Sequence, residues 1–274
     1  MENTILLDGL FRSGNTLLSS ILNQNPDVHS TELTPLLGYM YQANEVYTRN
    51  EDALRNFAPD RFQRLITSTF KSYYEDIQKT NIIYRAKHWM HPGNFDLYLK
   101  YVDKNPKVIY TVRGTLDILA SMILLAREHP FFDQTMLLNN FEQLSYLPIE
   151  DARCEFIMDS TGMLPSSFSG LYNCLVEPHR PMVHFVHYDD LVNYPDETLN
   201  GVYDFLNLPR FTHDFNSIEK LEKDREQLLP TLHKVRKTLS KTSPSYEEVL
   251  SPYIIEKYKN ADFWKHQVPR ISAI

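Results

Sequence analysis

The chain has 274 residues, 42% of them apolar and 23% charged, so it is long enough to bury a core and too apolar to stay disordered. A formal net charge of −7 excludes a sequence-independent nucleic-acid binder, which needs a basic face, but leaves room for a small basic pocket around one anion. Two cysteines, Cys154 and Cys174, are too few for a disulfide framework and point to a reducing compartment. No run of about 18 apolar residues occurs, so no membrane span is expected. The chain opens almost at once on a strand-like run, which leaves no room for a signal peptide. A cytoplasmic protein is expected, with neither nucleic acid nor membrane as partner.

In chain order, Thr4 to Leu7 is a short apolar run of strand type. The loop from Gly9 to Thr16 follows, then a predicted helix from Thr16 to about Asn23 that stops before Pro26. The stretch from Pro26 to Thr34, which holds Glu32, reads as irregular and polar. From Pro35 to Ile77 the pattern is mostly helical, with Pro59 at a helix start. Asn81 to Ala86 reads as a strand, and Asn94 to Val102 as a helix with Asn94 as its cap. Lys107 to Val112 is a continuous β-branched and aromatic run and reads as a strand; Leu116 to Arg127 reads as a helix. Between His129 and Pro165 the periodicity is lost, which suggests an insertion or lid. Pro181 to Tyr188 reads as a strand and Asp196 to Leu206 as a helix. The tail from Phe211 carries a basic cluster at His233, Lys234, Arg236, Lys237 and Lys241. Strands alternating with helices predict one α/β domain over residues 1–274, with helices flanking a mostly parallel sheet. Ligands in such sheets lie at the carboxyl ends of the strands.

The first loop carries the most chemistry. Gly9 and Gly14 allow a tight turn and close approach of a ligand, and the helix start offers free N–H groups to an anion. The spacing matches the phosphate-binding pattern G-x-x-x-x-G-K-[ST] at Gly9, Gly14 and Thr16, but Asn15 stands where the Lys belongs. A cation, Arg12, sits inside the loop instead. An ordinary glycine turn between strand and helix is the plain alternative. Arg113 ends the strand at 107–112, and Asp117 and Ser121 follow at positions that share one helix face. A guanidinium fork and a hydroxyl suit a second phosphate; a solvated Arg and a packed Ser are the plain alternative. No acid ends that strand to hold Mg²⁺; Asp189 and Asp190 could serve instead, but read more readily as helix caps.

These residues carry a resemblance. The run from Gly9 to Leu18 is similar to the 5′-phosphosulfate loop of sulfotransferases, G-x-P-R-S-G-T-T-L. Lys107 to Arg113 with Asp117 and Ser121 is similar to their 3′-phosphate motif, R-x-x-x-D-x-x-x-S. Val186 to Val192, then Pro195 and Val202 to Leu206, is similar to a third segment, Y-E-x-L-V…P…I-x-x-F-L. Leu239, Ser240, Lys241 and Pro252 keep the spacing of the tyrosylprotein-sulfotransferase-like branch. The four matches come in the family's order over residues 3–253.

The resemblance implies a P-loop-type three-layer α/β fold. It also implies that 3′-phosphoadenosine 5′-phosphosulfate (PAPS) is the donor, 3′-phosphoadenosine 5′-phosphate (PAP) the product, an alcohol or amine the acceptor, and that no metal is needed. Arg12, Ser13, Gly14, Asn15 and Thr16 would hold the 5′ side, and Arg113 and Ser121 the 3′-phosphate. Lys87 would stand near the sulfuryl group. Glu32 falls where the tyrosyl branch places its acidic base and is the first candidate; His88 is the rival, as in the cytosolic small-molecule branch. Tyr172 would lie near the adenine, with Ser240 and Lys241 in a tail folded over the nucleotide. Two departures, Phe11 for Pro and Asn15 for Thr, would loosen the loop and weaken donor binding. A P-loop kinase using ATP and Mg²⁺, and a catalytically inactive PAP-binding protein, stay open as alternatives. For the acceptor, a small molecule or carbohydrate is expected over a protein tyrosine. Phe131, Phe132, Met136, Phe141, Tyr146, Phe156 and Phe168 are candidates for its pocket, with plain core as the alternative.

Overall fold

A computed structural model describes residues 4–34, 36–56, 58–129, 146–160, 162–219, 235–240 and 244–271. The described strands are β1 (Ile5–Gly9), β2 (Val28–Ser30), β3 (Asn81–Arg85), β4 (Lys107–Val112) and β5 (Val183–His187). They form one sheet in the order β2-β3-β1-β4-β5, and every neighbouring pair is parallel. Parallel strands need crossovers, and helices supply them here.

Helices α1 (Asn15–Leu22), α2 (Leu36–Arg49), α3 (Glu51–Asn56) and α4 (Pro59–Tyr73) lie between β1 and β3, on either side of β2. Then come α5 (Pro92–Tyr101) and α6 (Thr115–Glu128), followed by α7 (Ile149–Met158) and α8 (Met163–Leu175). After β5 run α9 (Tyr188–Asn193), α10 (Pro195–Leu206), α11 (Tyr246–Val249) and α12 (Pro252–Tyr258).

Alternation along β1 sends neighbouring side chains to opposite faces. Leu6 joins a core cluster with residues of α2, α4, α5, α6, α7 and α8. Ile5 and Leu7 join a second cluster with α1 and α10, through Leu18, Ile21, Leu199 and Val202. A sheet buried on both faces has near-continuous apolar strands, which is why β4 was legible as an unbroken run. Each such fully buried aliphatic side chain contributes about 1.5–3 kcal/mol.

The sheet order places β1 at the centre, with the chain crossing from β3 on one side to β4 on the other. That makes the carboxyl ends of β1, β3 and β4 the switch point at which a crevice opens. Four corrections to the sequence reading follow. The stretch from Pro26 to Thr34 contains the edge strand β2, too short at three residues to show periodicity. Asn94 does not cap α5; that position is His91, and the Asn94 amide instead donates to the His88 carbonyl at 2.9 Å. Asp189 and Asp190 form no side-chain cap on α9; they hold Arg270 and the backbone N–H of Ile271 near the C-terminus. Residues 149–158 and 163–175 are helices whose Cys154, Ile157 and Leu164 sit in the main core. The rest of the expected lid, residues 130–145, lies outside the described residues.

Gly9 pairs with Thr111 across β1 and β4, and no side chain fits there. A Cβ on Gly9 would strike the Thr111 hydroxyl and stand 2.6 Å from its carbonyl oxygen. Gly9→Ala is therefore expected to destabilise the protein by about 1–3 kcal/mol in urea unfolding, as overpacking does. An unchanged midpoint would contradict this account of the β1–β4 junction.

Candidate active site

The loop from Gly9 to Thr16 is built by two left-handed residues. Arg12 has φ +56 and Gly14 has φ +94, so the chain turns sharply out of β1 into α1. Gly14 is required twice over, because a Cβ there would also stand 2.8 Å from the Tyr188 ring. The Ser13 hydroxyl is turned inward. It donates to the Leu10 carbonyl and shares a hydrogen bond with Thr111, both at 2.5 Å, and so braces the loop. Asn15 begins α1 with no side-chain cap, which leaves the N–H groups of the first turn directed at the crevice.

A cavity of about 290 Å³ opens over this loop at the switch point. Its lining includes Gly14, Asn15 and Thr16 from the loop, Arg85, Lys87 and His88 from the end of β3, and Arg113 and Ser121 from β4 and α6. Tyr188 follows β5, and Val235, Arg236, Thr238, Leu239 and Ser240 close one side. That last segment is pinned by two backbone bonds of 2.8 Å, Leu239 N–H to Phe215 and Ile218 N–H to Lys237. Five cations, Arg12, Arg85, Lys87, Arg113 and Arg236, line the cavity against one carboxylate, Asp8. On a chain of net charge −7, this concentrates positive potential at one place.

The cations are held in a network. Arg12 Nε donates to Ser121 Oγ at 3.1 Å, and Arg113 donates to the Arg12 carbonyl at 3.2 Å. The Arg113 guanidinium lies over the Tyr188 ring at 4.2 Å. Burial, and then the Arg113 charge, push the Arg12 pKa down. Arg85, itself buried, donates to Thr16 Oγ1 at 2.6 Å. Arg113 Nε is buried with no partner among the described residues, and so is Asn15 Oδ1. An anionic ligand with two phosphate groups fits this lining: it would answer the buried guanidinium N–H and relieve the repulsion between Arg12 and Arg113.

Sequence reasoning missed Asp8. It is fully buried on β1 and accepts the backbone N–H groups of Gly9 at 2.8 Å, His88 at 3.2 Å and Met90 at 2.9 Å. These bonds fix a turn in which His88 adopts φ +66, a conformation that costs a non-glycine residue about 1 kcal/mol or more. Arg85, Phe11 and Tyr188 were missed too. The Lys87 ammonium lies 5.2 Å from the centre of the Phe11 ring, and the His88 ring meets Phe11 edge-on at 5.9 Å. Phe11 thus packs against both candidate catalytic groups from the position where the sequence comparison expected a proline.

The remaining candidates are placed as follows. Lys87 and His88 line the cavity, and each has its pKa pushed down, chiefly by burial. Glu32 is exposed and does not line the cavity, although its neighbour Leu33 does. Tyr172 is 63% exposed on α8 and lies outside the lining. Ser240 lines the cavity; Lys241 falls outside the described residues. Of the aromatics suggested for an acceptor pocket, Phe156 and Phe168 pack against the main core and Tyr146 is exposed. Phe131, Phe132, Met136 and Phe141 fall outside the described residues. Among the described residues, no group of three His, Cys, Asp or Glu side chains is arranged to hold a metal ion.

A parallel sheet with an anion-binding loop after β1 and a cationic crevice at its switch point defines a P-loop-type phosphate-binding protein. The chain belongs to the sulfotransferase family, whose model, described as "Sulfotransferase family", matches residues 5–213. No curated protein matches it in sequence.

Solved structures share the fold. The sulfotransferase domain from the curacin biosynthetic pathway is 15% identical, with 94% of this chain and 98% of that one covered and a TM-score of 0.56. Mouse sulfotransferase SULT7A1 complexed with PAP is 15% identical, with 97% and 85% covered and a TM-score of 0.56. The sulfotransferase domain from the Synechococcus PCC 7002 olefin synthase is 16% identical, with 94% and 96% covered and a TM-score of 0.51.

Burial pushes the Asp8 pKa up to about 6, against the opposing pull of its backbone N–H bonds. Because the folded value lies above the unfolded one, near 3.9, folding is favoured when Asp8 is protonated. That contribution is complete below about pH 4 and lost as pH rises through about 6. The stability of Asp8→Asn relative to wild type is expected to rise by up to about 3 kcal/mol between about pH 4 and about pH 7. Urea titrations at the two pH values measure it, and a difference independent of pH would show that Asp8 is not buried as described.

Proposed function

We propose that this chain transfers the sulfuryl group of PAPS to an acceptor hydroxyl. The observation that carries the reading is the cavity itself, in which five cations and the α1 N-terminus surround a space bordered by Lys87 and His88. When bound, PAPS supplies a sulfuryl group whose bond to the 5′-phosphate oxygen breaks as the acceptor oxygen bonds to sulfur. Arg12 and the N–H groups of Asn15 and Thr16 hold the 5′ side and stabilise the charge left on the departing oxygen. Arg113 and Ser121 hold the 3′-phosphate, which fixes the reacting end against the loop. Lys87, with its ammonium over Phe11, places a positive charge beside the group in transfer. A ring nitrogen of His88 takes the acceptor proton.

Burial, together with the charges of His91 and Lys87, holds His88 neutral at ordinary pH, as a base must be. His88 is favoured over Glu32 because His88 borders the cavity and Glu32 is exposed away from it. The buried free thiols of Cys154 and Cys174 suit a reducing compartment, and we place the activity in the cytoplasm. Among the described residues, no helix is long and apolar enough to cross a membrane.

PAP at ~100 times its Kd is expected to stabilise the fold by about 2.7 kcal/mol without added metal. Arg113→Ala should weaken PAP about 10- to 150-fold and weaken adenosine 5′-phosphosulfate, which lacks the 3′-phosphate, much less. Stabilisation by ATP and Mg²⁺ with none by PAP would instead favour a kinase.

His88→Asn is expected to lower turnover ~10²–10⁴-fold and leave PAP affinity intact, while Glu32→Gln stays within a few-fold of wild type. The acid limb of kcat/KM should lie below about pH 6.5 and vanish in the His88 variant. The reverse pattern would make Glu32 the base. Full turnover in both variants would remove both from the role.

A further inference from the structure

A second cavity meets the first behind the proposed base. Leu33, Thr34, Leu37, Gly38, Lys87, His88 and Asn94 line it. Leu33, Lys87 and His88 are common to both cavities, so these three side chains form the partition between them. In-line transfer needs the acceptor oxygen and the leaving oxygen on opposite faces of the sulfuryl group, with the base within reach of the acceptor, and a cavity that shares Lys87 and His88 with the first gives an acceptor access to both. The inference therefore rests on the function proposed above and adds the chemistry of the acceptor.

The lining of the second cavity differs sharply from that of the first. Among the described residues its lining holds no carboxylate and no arginine, and the one full charge is Lys87 at the partition. A protonated amine would meet that ammonium with no acid to pair with it. A sugar would bring several hydroxyls to a wall whose polar side chains away from the partition are Thr34 and Asn94 alone. The Thr34 hydroxyl already accepts the Leu36 N–H at 3.1 Å, and the Asn94 amide already donates to the His88 carbonyl. Thr34 and Asn94 keep too little hydrogen-bonding capacity to match every hydroxyl of a sugar, and those left over would lose water without gaining partners. Leu33, Leu37 and the bare backbone of Gly38 present a hydrocarbon surface instead.

We propose that this cavity receives the aliphatic chain of an uncharged alcohol, with the hydroxyl reaching His88 at the partition and Gly38 setting the room available to the chain. Gly38 lies on the first turns of α2, and a Cβ built on it would meet no atom within 4 Å. The space is open and Gly38 is exposed, so a larger side chain is tolerated by the helix, and because Gly38 borders the cavity a long one can reach into it. Gly is also the weaker helix former, so its replacement does not work against α2.

The test uses the whole chain saturated with PAP, so that acceptor binding is read without turnover. Butanol, hexanol and octanol are titrated by thermal shift, with octylamine and glucose as comparisons. Transfer with labelled PAPS is then measured for the same compounds. Affinity for the alcohols is expected to rise toward about fourfold per added methylene, as burial of a chain in hydrocarbon does. Octylamine and glucose are expected to bind more weakly than octanol. In Gly38→Leu, octanol affinity should fall at least about tenfold and its KM rise in step, with PAP affinity unchanged; Gly38→Ser should fall between the two.

Octylamine or glucose binding better than octanol, or octanol binding equally to wild type and Gly38→Leu, overturns the inference while leaving the sulfotransferase reading in place. So does PAP binding without any dependence on chain length. Failure of wild type to bind PAP at all is the separate result that overturns the function reading, and this inference with it.

Discussion

One carboxylate ties the two halves of the site together. Asp8 sits at the end of the central strand, on the same face as Leu6, and accepts backbone N–H groups from both its own loop and the turn after β3. The loop carries Arg12 and the turn carries Lys87 and His88, so the relative position of these cavity-lining groups depends on this buried group. A carboxylate in the core is costly, and three backbone donors offset part of that cost while burial still pushes its pKa up. The same bonds, with the Asn94 amide on the His88 carbonyl, hold His88 in a left-handed conformation it would not keep alone. Catalytic geometry in this chain thus rests on backbone hydrogen bonds more than on packing of the catalytic side chains themselves.

Topology explains why the cations gather. Each strand that ends at the switch point delivers one basic group or its support: Arg12 after β1, Arg85 and Lys87 at the end of β3, Arg113 after β4, and Tyr188 after β5 beneath Arg113. Spread along the sequence, these residues are unremarkable in a chain of net charge −7. Brought to one crevice of largely half-buried side chains, their field is focused. The acidic surface elsewhere does not weaken the site much, because most of those acids are solvated.

What the sequence revealed follows from how local each signal is. Gly9, Arg12, Gly14, Thr16, Arg113 and Ser121 were legible because loop spacing and a strand end are local patterns, and the fold brings all of them to one place. β2 was hidden because three residues cannot show a period. Asp8 was hidden because an acid before a glycine reads as turn chemistry; its partners His88 and Met90 lie 80 and 82 residues further on. Arg85 was read as the end of a strand, and only the packing of α1 on β3 shows its bond to Thr16. Glu32 was placed ahead of His88 on its motif; that His88 borders the cavity while Glu32 is exposed outside its lining is a property of the folded chain.

The arrangement of Arg12 and Arg113 suggests how binding and catalysis are linked. Burial disfavours the charge of Arg12, and the nearby Arg113 guanidinium adds to this. Such a pair is poised, because an anion placed near either group relieves both the repulsion and the missing solvation. Arg12 bonds Ser121 from the opposite motif, and Arg113 bonds the Arg12 backbone, so the two proposed phosphate sites share one network. A 3′-phosphate on Arg113 would therefore also steady the Arg12 backbone in the loop proposed to hold the 5′ side. Because the donors are already in place before the ligand arrives, little reorganisation is needed as charge builds on the leaving oxygen. A donor that lacked the 3′-phosphate would lose more than one anchor, since the loop facing its reacting end would be less well held.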